Sequence, residues 1–363
     1  MYDILISGYY GFENSGDDAI LMAILDNLRT YKKDIKVLVL SKKPAETKRI
    51  YGVDAADRFN FNEVIKAMKS SKLFLNGGGN LIQDESSTRS LMYYLTTIWM
   101  AKKLGLKVML YSNGIGAIDK KVNRVITSRI INKADVITLR EKISLKEIEN
   151  LKVTKPRILV TADPAFTLTP CSNEEADSVL AAEGIDKNKP LVGISIRKWK
   201  NAQSYIKQIA AAADYMVENF NIQPVLIPMH YPHDVEISNK ISSMMKHKPI
   251  IIKNKYSVPQ MLGIIENMDM IIGMRLHALI YGASLKVPVL GLIYDPKVEG
   301  FLEYINQPSA GNVENLNYER LIQTIENVWN NRQQIKEQLT ASKHMFVEKA
   351  LQNAEIAIEL LNK

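Results

Sequence analysis

Residues 269–301 read DMIIGMRLHALIYGASLKVPVLGLIYDPKVEGF. Met270-Ile271-Ile272 is a short apolar run of the kind that makes a parallel strand buried on both faces; it breaks at Gly273, and a helical segment starts near Arg275. Past the breaker Pro288, a second run from Val289 to Ile293 leads into Tyr294-Asp295-Pro296-Lys297. Polar chemistry therefore collects at the carboxyl ends of strands. There an open α/β sheet binds its ligands, and a helix N-terminus turns bare N–H groups toward the crevice. Arg275, His277, Asp295 and Lys297 all stand at such ends. Residues two apart on a helix point to nearly opposite sides, so Arg275 and His277 face one ligand only if Arg275 precedes the regular turns.

The same pattern extends in both directions. Toward the N-terminus of this half, Leu191 to Ile196 closes on Arg197, and strands at Val225 to Ile227 and Ile250 to Ile252 alternate with helices at about Ala202 to Glu218 and Val258 to Glu266. In the first half, Tyr2 to Ser7 discharges into the glycine-rich turn Gly8 to Asp18, which opens a helix from about Asp17 to Leu28. Gly8, Gly11 and Gly16 lack the G-x-G-x-x-G spacing of a dinucleotide loop; the looser inference is a backbone that approaches a sugar or phosphate closely. A strand at Ile35 to Leu40, a helix at Phe61 to Lys69 and a strand at Leu73 to Leu75 follow. The last runs into Asn76-Gly77-Gly78-Gly79-Asn80, read either as a turn whose bare backbone N–H groups form a site or as a tight turn at a close helix crossing. Val108 to Ser112 ends in Asn113-Gly114, and Val136 to Leu139 in Arg140-Glu141.

Periodicity fails from Thr161 to Asn173, where a linker is expected, and beyond Asn317 apolar Leu321, Ile325, Val328 and Ile335 recur at helical spacing. At 363 residues the chain is long for one core and sufficient for two. The expected fold class is α/β: two Rossmann-like lobes with mostly parallel sheets facing across a cleft, a GT-B-like arrangement. The lobes are expected over 1–170 and 171–340, with a helix over 341–363 packing back on the first. Fold alone leaves the reaction open.

Composition narrows the partners. Forty-seven basic against 39 acidic residues give a net charge of +8, which favours phosphorylated small molecules, nucleic acid or an anionic membrane surface. No zinc-finger spacing, RNP-type strand or long basic arm is present, so nucleic acid is not expected. The densest positive stretch, Lys246 to Lys255, is interrupted by Ile250-Ile251-Ile252 and reads as a solvated strand edge. Cys171 is the single cysteine, no apolar run approaches the ~20 residues of a membrane span, and the first residues lack a signal-peptide pattern; the expected compartment is the cytoplasm. His230 and His233 flank Pro232 with no cysteine nearby, so no metal is expected.

Seven segments together resemble the polysaccharide pyruvyl transferase family over nearly the whole chain. They are Asn14 to Ile20 (NSGDDAI), Gly77 to Asp84 (GGGNLIQD), Gly114 to Gly116, Leu139-Arg140-Glu141, Asp163 to Phe166, Met274-Arg275-Leu276-His277-Ala278 and Tyr294 to Lys297. The Arg-Leu-His element is the most specific, and the likeness is greatest to the CsaB-type cell-wall ketal-pyruvyltransferases. The resemblance implies no cofactor, phosphoenolpyruvate as donor, and an N-acetylmannosamine unit of a lipid-linked secondary cell-wall polysaccharide precursor as acceptor. The product marks the wall for S-layer anchoring. Capture of a phosphate and a carboxylate calls for fixed cations, and Arg140, Arg275 and Lys297 are the candidates, with Arg197 in reserve. His277 is the residue to which the resemblance points as general acid or base. The acceptor is expected on the first lobe, at Asn14, Asp17, Gly78, Gly79 and Asn80, with Tyr9, Tyr10 and Phe12 available to stack on a sugar. A lipid-linked acceptor also implies peripheral contact with the inner face of an anionic membrane. The competing readings are a nucleotide-sugar glycosyltransferase of the same fold and a carbohydrate-binding protein without turnover.

Overall fold

A computed structural model describes residues 1–85, 87–200 and 202–363, and of Ala202 and Gln203 the backbone alone. The chain divides into two compact units, Met1–Thr167 with Met345–Lys363, and Leu168–His344.

In the first unit, strand and helix alternate as β1 (Tyr2–Ser7), α1 (Ser15–Tyr31), β2 (Val37–Ser41), α2 (Pro44–Tyr51), β3 (Asp54–Asp57), α3 (Phe61–Lys69), β4 (Ser71–Ile82), α4 (Thr88–Lys103), β5 (Lys107–Ile115), α5 (Lys121–Ile131), β6 (Val136–Leu139), α6 (Lys142–Asn150) and β7 (Arg157–Val160). The sheet order is β3-β2-β1-β4-β5-β6-β7, and every pairing is parallel. Side chains alternate across a strand. Leu5, Leu38, Phe74 and Leu110 therefore join one core, and Ile4, Ile6, Val39, Leu75 and Met109 the other. The glycine run expected as a turn belongs to β4 instead. Pairing with β5 continues through Gly77 opposite Tyr111 and Gly79 opposite Asn113, and the buried side chains of Asn76 and Asn113 bond across the two strands at 2.9 Å.

The second unit runs α7 (Asn173–Ala182), β8 (Leu191–Ser195), α8 (Ala202–Phe220), β9 (Gln223–Leu226), α9 (His233–Met244), β10 (Ile250–Ile251), α10 (Val258–Glu266), β11 (Met270–Gly273), α11 (Leu276–Ser284), β12 (Val289–Ile293), α12 (Pro296–Tyr304), β13 (Ser309–Asn312), α13 (Tyr318–Asn330) and the start of α14 (Arg332–Asn362). Its order is β10-β9-β8-β11-β12-β13, again wholly parallel. Counted from the first strand of each unit, both sheets share the order 3-2-1-4-5-6 of a doubly wound fold, so each reverses direction between its first and fourth strands. Ligands bind at that reversal.

Candidate active site

In the second unit the reversal lies between β8 and β11. β8 hands the chain to Ile196-Arg197, and β11 hands it to Met274-Arg275, whose backbones are tied where Met274 N–H donates to Ser195 O at 2.8 Å. Arg275 is the N-cap of α11, with extended backbone (φ −71°, ψ 116°), and His277 lies in the first turn. Arg275 thus precedes the regular turns, which is the condition under which both side chains can address one ligand. Every residue of α11 except His277 is buried, so the helix is fixed by apolar packing on all sides.

Two carboxylates hold the cations. Arg275 Nε donates to Asp234 Oδ2 at 2.8 Å, and its Nη2 donates to Oδ1 of the same residue, a bidentate fork. Asp234, at the start of α9, is 1% exposed and also accepts the backbone N–H groups of Met229 and His230 at 3.1 and 3.0 Å. A guanidinium carries five N–H donors, so the two given to Asp234 fix its plane and leave capacity for a ligand. Lys297 Nζ lies 2.6 Å from Asp295 Oδ2, and Asp295 also caps α12 by accepting Lys297 N–H at 2.9 Å.

Arg197 stands differently: no carboxylate among the described residues pairs with it, and its buried Nε has no hydrogen-bond partner. Its Nη1 donates to Tyr294 Oη at 3.1 Å, and the guanidinium lies 4.7 Å from the Tyr294 ring centre and 5.5 Å from that of Trp199. The loop carrying it is pinned by buried Tyr205, whose hydroxyl accepts Trp199 N–H and donates to Arg197 O. Lys297 Nζ also approaches Tyr294, 5.2 Å from its ring centre. Tyr294 is 8% exposed. Burial alone would push its phenol up; the charges of Lys297, Arg197 and, behind them, Arg275 outweigh it and hold the phenol below the ordinary tyrosine range.

Arg197, Arg275 and Lys297 therefore gather about Tyr294, with His277 in the first turn of α11. Arg140 has carboxylate partners of its own. It lies in the first unit, buried, with Nε on Glu141 at 3.0 Å and Nη1 on Asp163 at 3.1 Å. The arginine expected at the donor is the centre of a buried ion triad. Burial pushes the Glu141 carboxyl up despite Arg140 and the Ser144 hydroxyl that donates to it. Tyr294 and Asp234 are missing from the predicted set. The first lay inside the quoted stretch; the second becomes visible only when α9 is brought against α11.

In the first unit Asn14 caps α1, accepting Gly16 N–H at 3.1 Å. Gly78 and Gly79 have φ of +37° and +87°, and a Cβ on Gly78 would stand 2.2 Å from Ile20 of α1. The glycines let β4 meet the helix start, where Asp17 Oδ1 lies 3.5 Å from the Cβ position of Gly79. Asn80 Oδ1 is buried with no hydrogen-bond partner. Tyr10 is buried against Gly8 and Gly77 and donates its hydroxyl to Gly77 O, which makes it packing. Tyr9 and Phe12 stack on one another at 4.0 Å. Asp84 accepts from Asp119 N, Lys120 N and Asn123 Nδ2, anchoring the start of α5.

Among the described residues no group of three His, Cys, Asp or Glu side chains could hold a metal ion, and no helix is long and apolar enough to cross a membrane. Residues 14–296 match the family described as polysaccharide pyruvyl transferase. The amylovoran biosynthesis protein AmsJ of Erwinia amylovora is 20% identical over 93% of this chain and 94% of its own. Among solved structures, S. aureus MnaA in complex with UDP superposes with a TM-score of 0.69 at 13% identity, covering 100% of this chain and 98% of that one. The UDP-GlcNAc 2-epimerase of Neisseria meningitidis bound to UDP-GlcNAc gives 0.67 at 12%, covering both chains in full (100% and 100%). A glycosyltransferase from Rickettsia africae gives 0.65 at 12%, over 100% and 99%. These likenesses establish the fold, two parallel-sheet α/β lobes of the GT-B kind.

Proposed function

The chain belongs to the polysaccharide pyruvyl transferase family, and from that premise we propose that it transfers the pyruvyl group of phosphoenolpyruvate, as a ketal, to an amino sugar of a lipid-linked cell-wall polysaccharide precursor. N-acetylmannosamine is the acceptor in this reading, and S-layer anchoring the use of the product, as in CsaB-type enzymes. The observation that carries it is the convergence of Arg197, Arg275 and Lys297 on Tyr294 at the sheet reversal of the second unit. Three fixed cations suit a donor that bears both phosphate and carboxylate. Arg197 is the principal anchor, because its charge meets no carboxylate among the described residues. Arg140 is left out, since an arginine already serving two buried carboxylates has no reason to exchange them for a ligand.

The chemistry then follows from the groups at hand. One sugar hydroxyl forms a C–O bond at C2 of phosphoenolpyruvate while the methylene carbon takes up a proton and becomes a methyl. The C2–O bond to phosphate breaks, and the second hydroxyl closes the ketal. Two hydroxyl protons are released: one ends on the methyl and the other on the departing phosphate. His277, in the first turn of α11, relays them. Arg197 and Lys297 stabilise the negative charge that grows on the leaving phosphate. The acceptor sugar lies along Asn14, Asp17, Gly78, Gly79 and Asn80, and the lipid tether keeps the enzyme at the cytoplasmic face of the membrane.

The test is release of inorganic phosphate from phosphoenolpyruvate, with and without a soluble N-acetylmannosamine-terminated disaccharide analogue of the precursor. Wild type should release phosphate only with acceptor and leave a pyruvyl mass on the sugar; His277→Ala should be slower by roughly a hundredfold or more, the contribution of a positioned acid or base. A folded protein that releases none with any related acceptor would overturn the reading.

A further inference from the structure

A second charged surface lies in the first unit, on the face where α4, α5 and α6 end. A depression of about 820 Å³ is lined by Lys102, Lys103, Arg129, Lys133, Lys152 and Lys155, with Trp99 at its rim and no acidic side chain in its wall. Lys102 bonds to Asp135 at 2.8 Å. No ion pair is formed by the other five cations among the described residues. The lysines of the last segment are held in place: Asn132, at the C-terminus of α5, donates to Lys152 O and accepts the N–H groups of Thr154 and Lys155.

Cations at helix C-termini are ordinary complements of the helix dipole, so magnitude decides whether this face is more than that. Each helix end carries about half a negative charge. Three ends and Asp135 together offset less than half of the six positives. A net positive patch of roughly three to four charges remains, with no acidic side chain lining the depression to meet it. Apolar side chains stand exposed beside it. Trp99 is 41% exposed, Leu104, next to Lys103, is 39% exposed, and Val125, one turn before Arg129 on α5, is 49% exposed. Cations set among an exposed indole and aliphatic side chains match a bilayer interface, where the charges meet headgroup phosphates and the apolar groups reach the acyl boundary.

We propose that this face is a docking surface for anionic phospholipid headgroups. The proposal deepens the membrane-linked reading above and rests on it for its purpose. The experiment is co-sedimentation of the full chain with vesicles of phosphatidylglycerol in phosphatidylcholine and with phosphatidylcholine alone. Wild type should pellet with the first and not the second, and should be released by salt. Lys103→Ala/Lys133→Ala/Lys155→Ala should weaken partition by roughly a hundredfold, at about fivefold per cation. Trp99→Ala should weaken it with charge unchanged. Lys246→Ala/Lys248→Ala/Lys253→Ala removes the same charge from the second unit and should bind as wild type does.

Equal losses in the two triple variants would overturn the proposal in favour of net charge alone. Wild-type binding by the first triple variant, with its melting temperature unchanged, would overturn it outright, as would retention on duplex DNA without vesicle binding. Pyruvyl transfer to the soluble acceptor should be unaffected in every variant. Loss of that transfer in wild type with vesicle binding intact would count against the proposed reaction and leave the docking face standing.

Discussion

Tyr294 is a phenol with an arginine and a lysine close to its ring, and its ionisation differs from that of buried Tyr10, Tyr94 and Tyr111. Burial pushes Tyr10, Tyr94, Tyr111 and Tyr231 up, Tyr94 to about 12. Tyr294 alone among them is drawn down by neighbouring cations. On raising pH, the earliest phenolate absorbance of the folded protein should therefore belong to Tyr294 and be missing from Tyr294→Phe. The fold holds this phenolate better than the unfolded chain does. Wild-type stability should accordingly gain on the variant as pH rises into the ordinary tyrosine range near 10, with no such gain at neutrality. The same variant keeps the ring against Trp199 but deprives Arg197 of its hydroxyl acceptor. If that bond orients Arg197 for the donor, KM for phosphoenolpyruvate should rise roughly tenfold or more, the worth of a hydrogen bond to a charged group. Coincident titration curves for the two proteins would refute the electrostatic account. Arg275, His277 and Lys297 were legible because a strand's end and a helix's start are written locally. Asp234 was not: 41 residues separate it from Arg275, and no local pattern records that α9 turns its first carboxylate toward α11.

The elements that sequence marks clearly are those carrying apolar runs, and α3, β6, α10 and β12 have the boundaries their patterns imply. β3, Asp54-Ala-Ala-Asp, and β13, Ser309-Ala-Gly-Asn, carry no such pattern; they are strands because β2 and β12 offer them open edges. β4 exceeds its apolar run for the converse reason, since the edge of β5 continues to accept pairing after the side chains have vanished. Packing of α11 likewise hinges on an absent side chain. A Cβ on Gly282 would stand 2.6 Å from Val289 Cγ1, so Gly282→Ala should force α11 away from β12 and carry Arg275 and His277 with it. Overpacking costs about 1–3 kcal/mol, and turnover should fall by more than that loss explains if the proposed roles of Arg275 and His277 hold, because both stand on the displaced helix. Adding Val289→Ala should restore much of both. Full activity in Gly282→Ala at a lowered melting temperature would separate α11 from the chemistry.

Alternation of strand and helix identifies parallel sheets, yet no strand's composition says which neighbour it takes. The reversal that brings β8 beside β11, and so Arg197 beside Arg275, comes from the winding of crossovers over both faces of the sheet. The end of the chain shows the same dependence on the whole. Met345–Lys363 belongs with the first unit, where Ala354, Ala357 and Leu360 complete the core around Ile4, Ile24 and Leu75. Phe346 stacks on Phe166 at 4.9 Å, and buried Asn353 donates to Ala162 O while accepting the Thr161 hydroxyl at 2.8 Å. Burial of Phe346, Ile356 and Leu360 alone is worth on the order of 5–9 kcal/mol, comparable with the entire stability of a domain. Deletion of Met345–Lys363 should therefore unfold the first unit selectively. Leu168–His344 loses none of its own core, so calorimetry should show one transition abolished and another kept. Amide exchange should lose protection in β1 and β4 while β8 and β11 retain theirs. Survival of both transitions would mean that the first sheet holds without its last helix, and that this segment is attached to the unit without being part of what folds it.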